Sequence, residues 1–126
     1  MIDLPWPPRE LSPNARVDRR AVAGIRSRYR QACGWATTAA GFRAMPPGPL
    51  HLDVTFHPPD RRARDLDNML SSIKAALDGI SDVIRVDDSW WSLTIRRADP
   101  VPGGRVSVRL GPVAEAVSIP LKGTIG

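Results

Sequence analysis

The chain has 126 residues, 42% of them hydrophobic and 25% charged, with a formal net charge of +5 and an isoelectric point near 10.6. That size suits one globular domain, and that balance excludes a disordered chain as the default. A single cysteine, Cys33, and two histidines, His51 and His57, exclude a disulfide framework and a cysteine- or histidine-rich zinc site. Of the 18 basic residues 16 are arginine, whose planar fork of donors suits phosphate oxygens better than a lysine point charge. Arginine-favouring codon usage explains the ratio equally well, but not the positive balance, which points to an anionic or polyanionic partner.

Residues 1–15 carry Pro5, Pro7, Pro8 and Pro13 and read as a short edge strand followed by an extended loop. No basic stretch leads into an apolar core there, and no apolar run approaches the roughly 18–20 residues of a membrane span. A cytoplasmic protein in a reducing compartment is expected. Residues 18–40 turn helical: Ala21, Ile25, Tyr29, Ala32 and Trp35 alternate with Arg19, Arg20, Arg26, Arg28 and Arg30, and Gly34 weakens the later part. Cys33 falls inside this helix and reads as a small buried apolar residue.

Residues 51–57 alternate as a half-buried strand, and Pro58-Pro59-Asp60 ends it. From residue 66 to residue 80, Leu66, Met69, Leu70, Ile73, Leu77 and Ile80 keep helical spacing, with Gly79 near the helix end. Residues 83–86 read as a short strand. Residues 90–97 and 105–110 alternate on either side of Pro100-Val101-Pro102-Gly103-Gly104 and read as a long hairpin. The expected fold is α/β or α+β, a small mixed sheet packed with two main helices, in a domain spanning 1–111. The tail, 112–126, reads as a loose strand or a disordered segment.

Chemistry concentrates in Arg61-Arg62-Ala63-Arg64-Asp65-Leu66-Asp67-Asn68, where three arginines run into two carboxylates, and in the later pair Asp87-Asp88. Asp65 and Asp67 stand where a helix begins, so capping accounts for one of them. It accounts less well for two, and not for Asp87-Asp88. Carboxylates that converge need a cation to stay ionised, and Mg²⁺ or Mn²⁺, which keeps waters and takes one or two carboxylates, is the natural occupant. At about 100° per residue, Asp67, Ser71, Lys74 and Asp78 share one helix face within roughly 60°, away from the apolar stripe. Lys74 either pairs with Asp78 as a solvated lysine or leans back toward the cluster. Asn68 either bonds the cluster or continues the capping turn. Of Trp90 and Trp91, one is expected in the core and the other outward, a candidate contact surface.

Four segments resemble the RusA family of endodeoxyribonucleases, Holliday-junction resolvases of bacteria and lambdoid-type phages. They are LPWPP at 4–8 leading to Asn14 and Arg16, PDRRARDLDN at 59–68, KAALDGI at 74–80 followed by VDD at 86–88, and GGRVSVRL at 103–110. They occur in the family's order over residues 3–111. The resemblance implies a Mg²⁺-dependent homodimer that nicks four-way DNA junctions symmetrically. It implies that Asp65, Asp67 and Asp88 bind metal with Asp87 beside them. It also implies a catalytic lysine on the helix after DLDN. Ser71 stands at the usual spacing for that lysine; Lys74 lies three residues further on the same face. Arg61, Arg62 and Arg64, with Arg16, Arg19, Arg26 and Arg30, are the candidate DNA-binding residues. The alternatives are a non-catalytic branched-DNA-binding relative and a structural protein whose charge merely meets nucleic acid.

Overall fold

The computed structural model describes residues 1–112; the reading of the tail lies outside them beyond Pro112. Strand β1 (Ile2–Pro5) is followed by a 3-10 turn (Arg9–Leu11) and the long helix α1 (Arg19–Ala39). Strand β2 (Leu50–His57), helices α2 (Leu66–Ser72) and α3 (Lys74–Ile84), a 3-10 turn (Asp88–Trp90), β3 (Trp91–Arg97) and β4 (Arg105–Gly111) complete the order. The four strands form one mixed sheet ordered β1-β4-β2-β3.

β2 lies inside the sheet because every second residue is apolar along its whole length. Leu50, Leu52, Val54 and Phe56 are buried, joined on the same face by Ile2, Leu4, Val106 and Val108. Helices α1 and α3 cover that face with Tyr29, Cys33, Ala76, Ile80 and Ile84. Each large apolar side chain contributes about 1.5–3 kcal/mol on burial. Cys33 is buried as expected, and burial pushes its thiol up to about 12. The opposite face of the sheet stays polar, with His51 bonded to Ser92 and Thr94 at 2.7 and 2.9 Å and Asp53 paired with Arg96 at 3.2 Å.

Three expectations give way. Strands β3 and β4 are not a hairpin: β2 separates them, parallel to β3 and antiparallel to β4. The connecting residues pass over the end of β2, where Ala98 N–H donates to the Phe56 carbonyl and Val101 N–H to that of Pro58. Two consecutive left-handed glycines, Gly103 (φ 77°) and Gly104 (φ 75°), then turn the chain into β4. Residues 83–86 are not a strand. The buried spacing Leu77, Ile80, Ile84 carries α3 onward to Ile84, where Arg85 stops it in a left-handed conformation (φ 62°). The helix expected from residue 66 to residue 80 is two helices, broken at buried Ile73 (φ −103°, ψ 15°).

Gly34 and Gly79 are not merely weak helix positions. A Cβ on Gly79 would stand 2.3 Å from the Arg30 carbonyl oxygen and 3.0 Å from the Gly34 nitrogen. The two glycines mark the crossing of α1 and α3, where the backbones touch. Arg30 fastens the same crossing, bonding Asp82 through both ends of its guanidinium at 2.7 Å. The Tyr29 hydroxyl donates to the Pro5 carbonyl at 2.7 Å and holds the end of β1 against α1.

Candidate nucleic-acid and metal site

The basic run leaves the end of β2 through a turn built by Asp60. One carboxylate oxygen of Asp60 accepts from the Arg62 N–H at 2.9 Å and from the Arg64 guanidinium at 2.8 Å. The Arg64 guanidinium, followed by the Arg62 N–H, holds the Asp60 carboxyl below the ordinary aspartate range. Arg64 also lies over the Trp6 ring, 5.7 Å from its centroid, a cation–π contact. Trp6 in turn packs edge-on to Phe56 and presses on Gly104, where an added Cβ would stand 2.8 Å from the indole carbon Cγ. The Arg64 carbonyl accepts from Arg97. The run is thus divided: Arg64 is fixed in a stack of Gly104, Trp6 and Asp60, while Arg61 and Arg62 point outward.

Asp65 occupies the N-cap position of α2, yet its side chain makes no capping bond. Its Oδ2 instead receives the Asn68 side-chain amide at 3.4 Å, and Asp67 Oδ1 accepts the Asn68 backbone N–H at 3.0 Å. Both carboxylates are exposed. Asp87 is the residue that caps, accepting the Ser89 N–H at 3.1 Å at the head of the 3-10 turn; bonding to Ser89 holds its carboxyl below the ordinary range.

Lys74 Nζ lies 3.0 Å from Asp78 Oδ1 and 3.5 Å from Asp88 Oδ2. The hydrogen bond to Asp78, then the charges of Asp78 and Asp88, hold its ammonium above the ordinary lysine range against a weaker opposing burial effect. The pairing of Lys74 with Asp78 is thus present, and its second carboxylate partner is Asp88 rather than Asp65 or Asp67. Helix α2 stands between two depressions. One, of about 510 Å³, is lined by Leu70, Ser71, Lys74, Asp88, Trp91 and Leu93. The other, of about 450 Å³, lies between the N-terminal loop and Asp65. Trp90 is exposed and Trp91 half-buried; the Trp91 indole N–H is buried with no partner among the described residues.

Exposed hard oxygens on Asp65, Asp67 and Asp88 suit Mg²⁺, which takes few carboxylates and keeps waters. Among the described residues, however, no three His, Cys, Asp or Glu side chains lie close enough together to hold an ion. The expected convergence is thus not formed among the described residues: Lys74 reaches Asp88, whereas Asp65 and Asp67 bond to Asn68. Arg16, Arg19 and Arg26 are exposed, whereas Arg30 is committed to Asp82. Sequence reasoning passed over Trp6, Gly104 and Asp60; the signal available for them was the LPWPP and GGR segments, weak in isolation, and for Asp60 the start of the PDRRARDLDN segment.

The family profile of endodeoxyribonuclease RusA matches residues 12–110, a span that includes DLDN, Lys74, the Asp87-Asp88 pair and Gly103-Gly104. The chain belongs to the RusA family. A relative from Xylella fastidiosa, described only as an uncharacterized protein, is 41% identical over 95 residues, which cover 69% of this chain. The match spans 59% of that relative's length. The mixed sheet with helices on one face is consistent with the RusA fold. No helix among the described residues is long and apolar enough to cross a membrane.

Proposed function

We propose that this RusA-family chain is a divalent-metal-dependent endonuclease that resolves four-way DNA junctions by paired symmetric nicks. The observation that carries this reading is the 3.5 Å approach of Lys74 to Asp88, which ties the helix after DLDN to the acidic pair. Asp65, Asp67 and Asp88 would hold Mg²⁺ or Mn²⁺, with Asp87 beside them. When bound, the ion would supply Lewis-acid stabilisation of phosphate charge and a more acidic water. Lys74, protonated at neutral pH and more so beside its two carboxylates, is suited to stabilise charge on the phosphate rather than to act as a base. The exposed Arg61 and Arg62 would neutralise phosphates, and the fixed Arg64 sets where they start.

A homodimer follows from the substrate. Two matched nicks need two sites, this chain offers one acidic constellation, and a two-fold dimer supplies the second in the junction's own symmetry. Cleavage of a synthetic four-way junction with Mg²⁺ and with Mn²⁺, mapped on both strands, tests the reading. Paired nicks are expected from the wild type, and Asp67→Asn should cut about a hundredfold more slowly, the scale of losing one group that stabilises transition-state charge. An Asp67→Asn enzyme as fast as the wild type refutes the role of Asp67. A second reading, branched-DNA binding without catalysis, draws on the separation of the carboxylates. It requires salt-sensitive binding and no product with either metal.

A further inference from the structure

The depression on the N-terminal side of α2 has a composition that phosphate gripping alone does not explain. Trp6, Pro7, Pro8 and Met69 line it together with Arg9, Arg62, Ser12, Asn14 and Asn68. Apolar lining mixed with hydrogen-bonding groups suits a heteroaromatic base. The volume, about 450 Å³, lies within the roughly 300–1,000 Å³ range of small-ligand clefts. It fits a nucleotide out of its stack and not a stretch of duplex.

The polar groups have capacity to spare. Asn14 uses only its backbone N–H, donated to Ser12 Oγ at 3.4 Å, and its side-chain amide has no protein partner among the described residues. An amide presents a donor and an acceptor side by side, which can pair with a base edge. Arg9 makes no ion pair among the described residues, and Arg62 is held only loosely by Asp60 at 3.8 Å. Both are available to a phosphate. Asp65 and Asn68 form the boundary with the proposed metal residues, so a nucleotide seated here would adjoin the phosphate that reacts.

We infer that this cleft is a nucleotide subsite: it takes one unpaired nucleotide flanking the scissile phosphate of branched DNA, with Asn14 reading the base edge and Arg9 holding the adjoining phosphate. The inference rests on the proposed nuclease reading and adds to it a source of base preference. Arg64 is not the reader, because Asp60 and Trp6 already hold it.

The test uses four-way junctions that differ only in the nucleotide at the crossover, with 2-aminopurine placed there in a second set. In Ca²⁺, the full chain should raise 2-aminopurine fluorescence saturably as the base leaves its stack. In Mg²⁺, the wild type should prefer some crossover bases by about tenfold, the scale of one good base-edge contact. Asn14→Ala should flatten that preference to within about twofold, and the isosteric Asn14→Asp, which exchanges a donor for an acceptor, should reorder it. Arg9→Ala should weaken junction binding severalfold for every base alike. Junctions bound and nicked without a fluorescence rise, or with the wild-type ranking intact in Asn14→Ala and Asn14→Asp, overturn the subsite and leave the nuclease reading standing. A wild type that neither binds nor nicks branched DNA overturns both.

Discussion

Lys74 stands between Asp78 and Asp88, and that arrangement reinforces its protonated form. Its pKa is raised above the ordinary lysine value of 10.5, so the pairing contribution is fully present below that value and is lost only as pH rises through the higher folded value. The side chain is 63% exposed, so the stabilisation is small, within the roughly 0–1 kcal/mol of surface pairs. Lys74→Met should therefore leave the melting temperature nearly unchanged while slowing junction cleavage about a hundredfold. Equal loss of both would make Lys74 a structural residue. Asp60 obeys the opposite sign. Its pKa is lowered, so its hold on Arg64 persists at all pH values above the ordinary aspartate value of 3.8 and weakens only as pH falls through the lower folded value. Neutral-pH changes in DNA affinity cannot then come from release of Arg64. Gly104→Ala should displace Trp6 and loosen Arg64. Junction affinity, measured by titration in Ca²⁺, should fall by more than an outward residue such as Arg105 would cost as alanine.

At the scale of elements, α1 and α3 meet so closely that side chains are excluded at the crossing. Gly79→Ala places a carbon 2.3 Å from a backbone oxygen, not from a flexible side chain, so the helices must separate. Overpacking of this kind costs about 1–3 kcal/mol, which for a domain of this size lowers the thermal midpoint by roughly 4–20 °C. Calorimetry on Gly79→Ala measures it, and an unchanged midpoint would mean that the helices cross elsewhere. This approach of the two backbones could not be read from residue 79 alone, because a glycine near a helix end and a glycine at a crossing look identical in one sequence. The break at Ile73 is similar. The apolar spacing runs through it, and only packing reveals that the turn tightens there. The stripe Asp67, Ser71, Lys74, Asp78 consequently survives in part: Ser71 and Lys74 line one depression with Asp88, while Asp67 bonds locally to Asn68.

For the whole molecule, the arginines divide by what holds them. Arg30 is tied to Asp82 across two helices, whereas Arg61 and Arg62 face solvent beside the acidic residues. Replacing both Arg61 and Arg62 by alanine should reduce the salt dependence of junction binding by about two units of slope, near 0.9 for each phosphate no longer neutralised. Arg30→Ala should instead lower thermal stability slightly and leave the slope alone. Binding isotherms at several salt concentrations separate the two, and a reduced slope in Arg30→Ala would return that residue to the DNA surface. Among the described residues β3 is an edge strand carrying the exposed Leu93, with exposed Trp90 just before it.

By itself the sequence determined the elements whose signal is periodic and local: β2 from strict alternation, α1 from its amphipathic spacing, β1 at an edge from its prolines, and the acidic and basic motifs that identify the family. These follow from side-chain order along one segment, which backbone geometry converts directly into a buried face. The tertiary structure alone decided which strands pair, where helices cross, and which arginine is free. Each of those depends on residues far apart in the chain. β2 displaced the expected hairpin by pairing along its length with both β3 and β4, a choice set by residues some forty to sixty positions away. Arg64 turned inward because Trp6 and Gly104, near opposite ends of the described chain, meet beneath it.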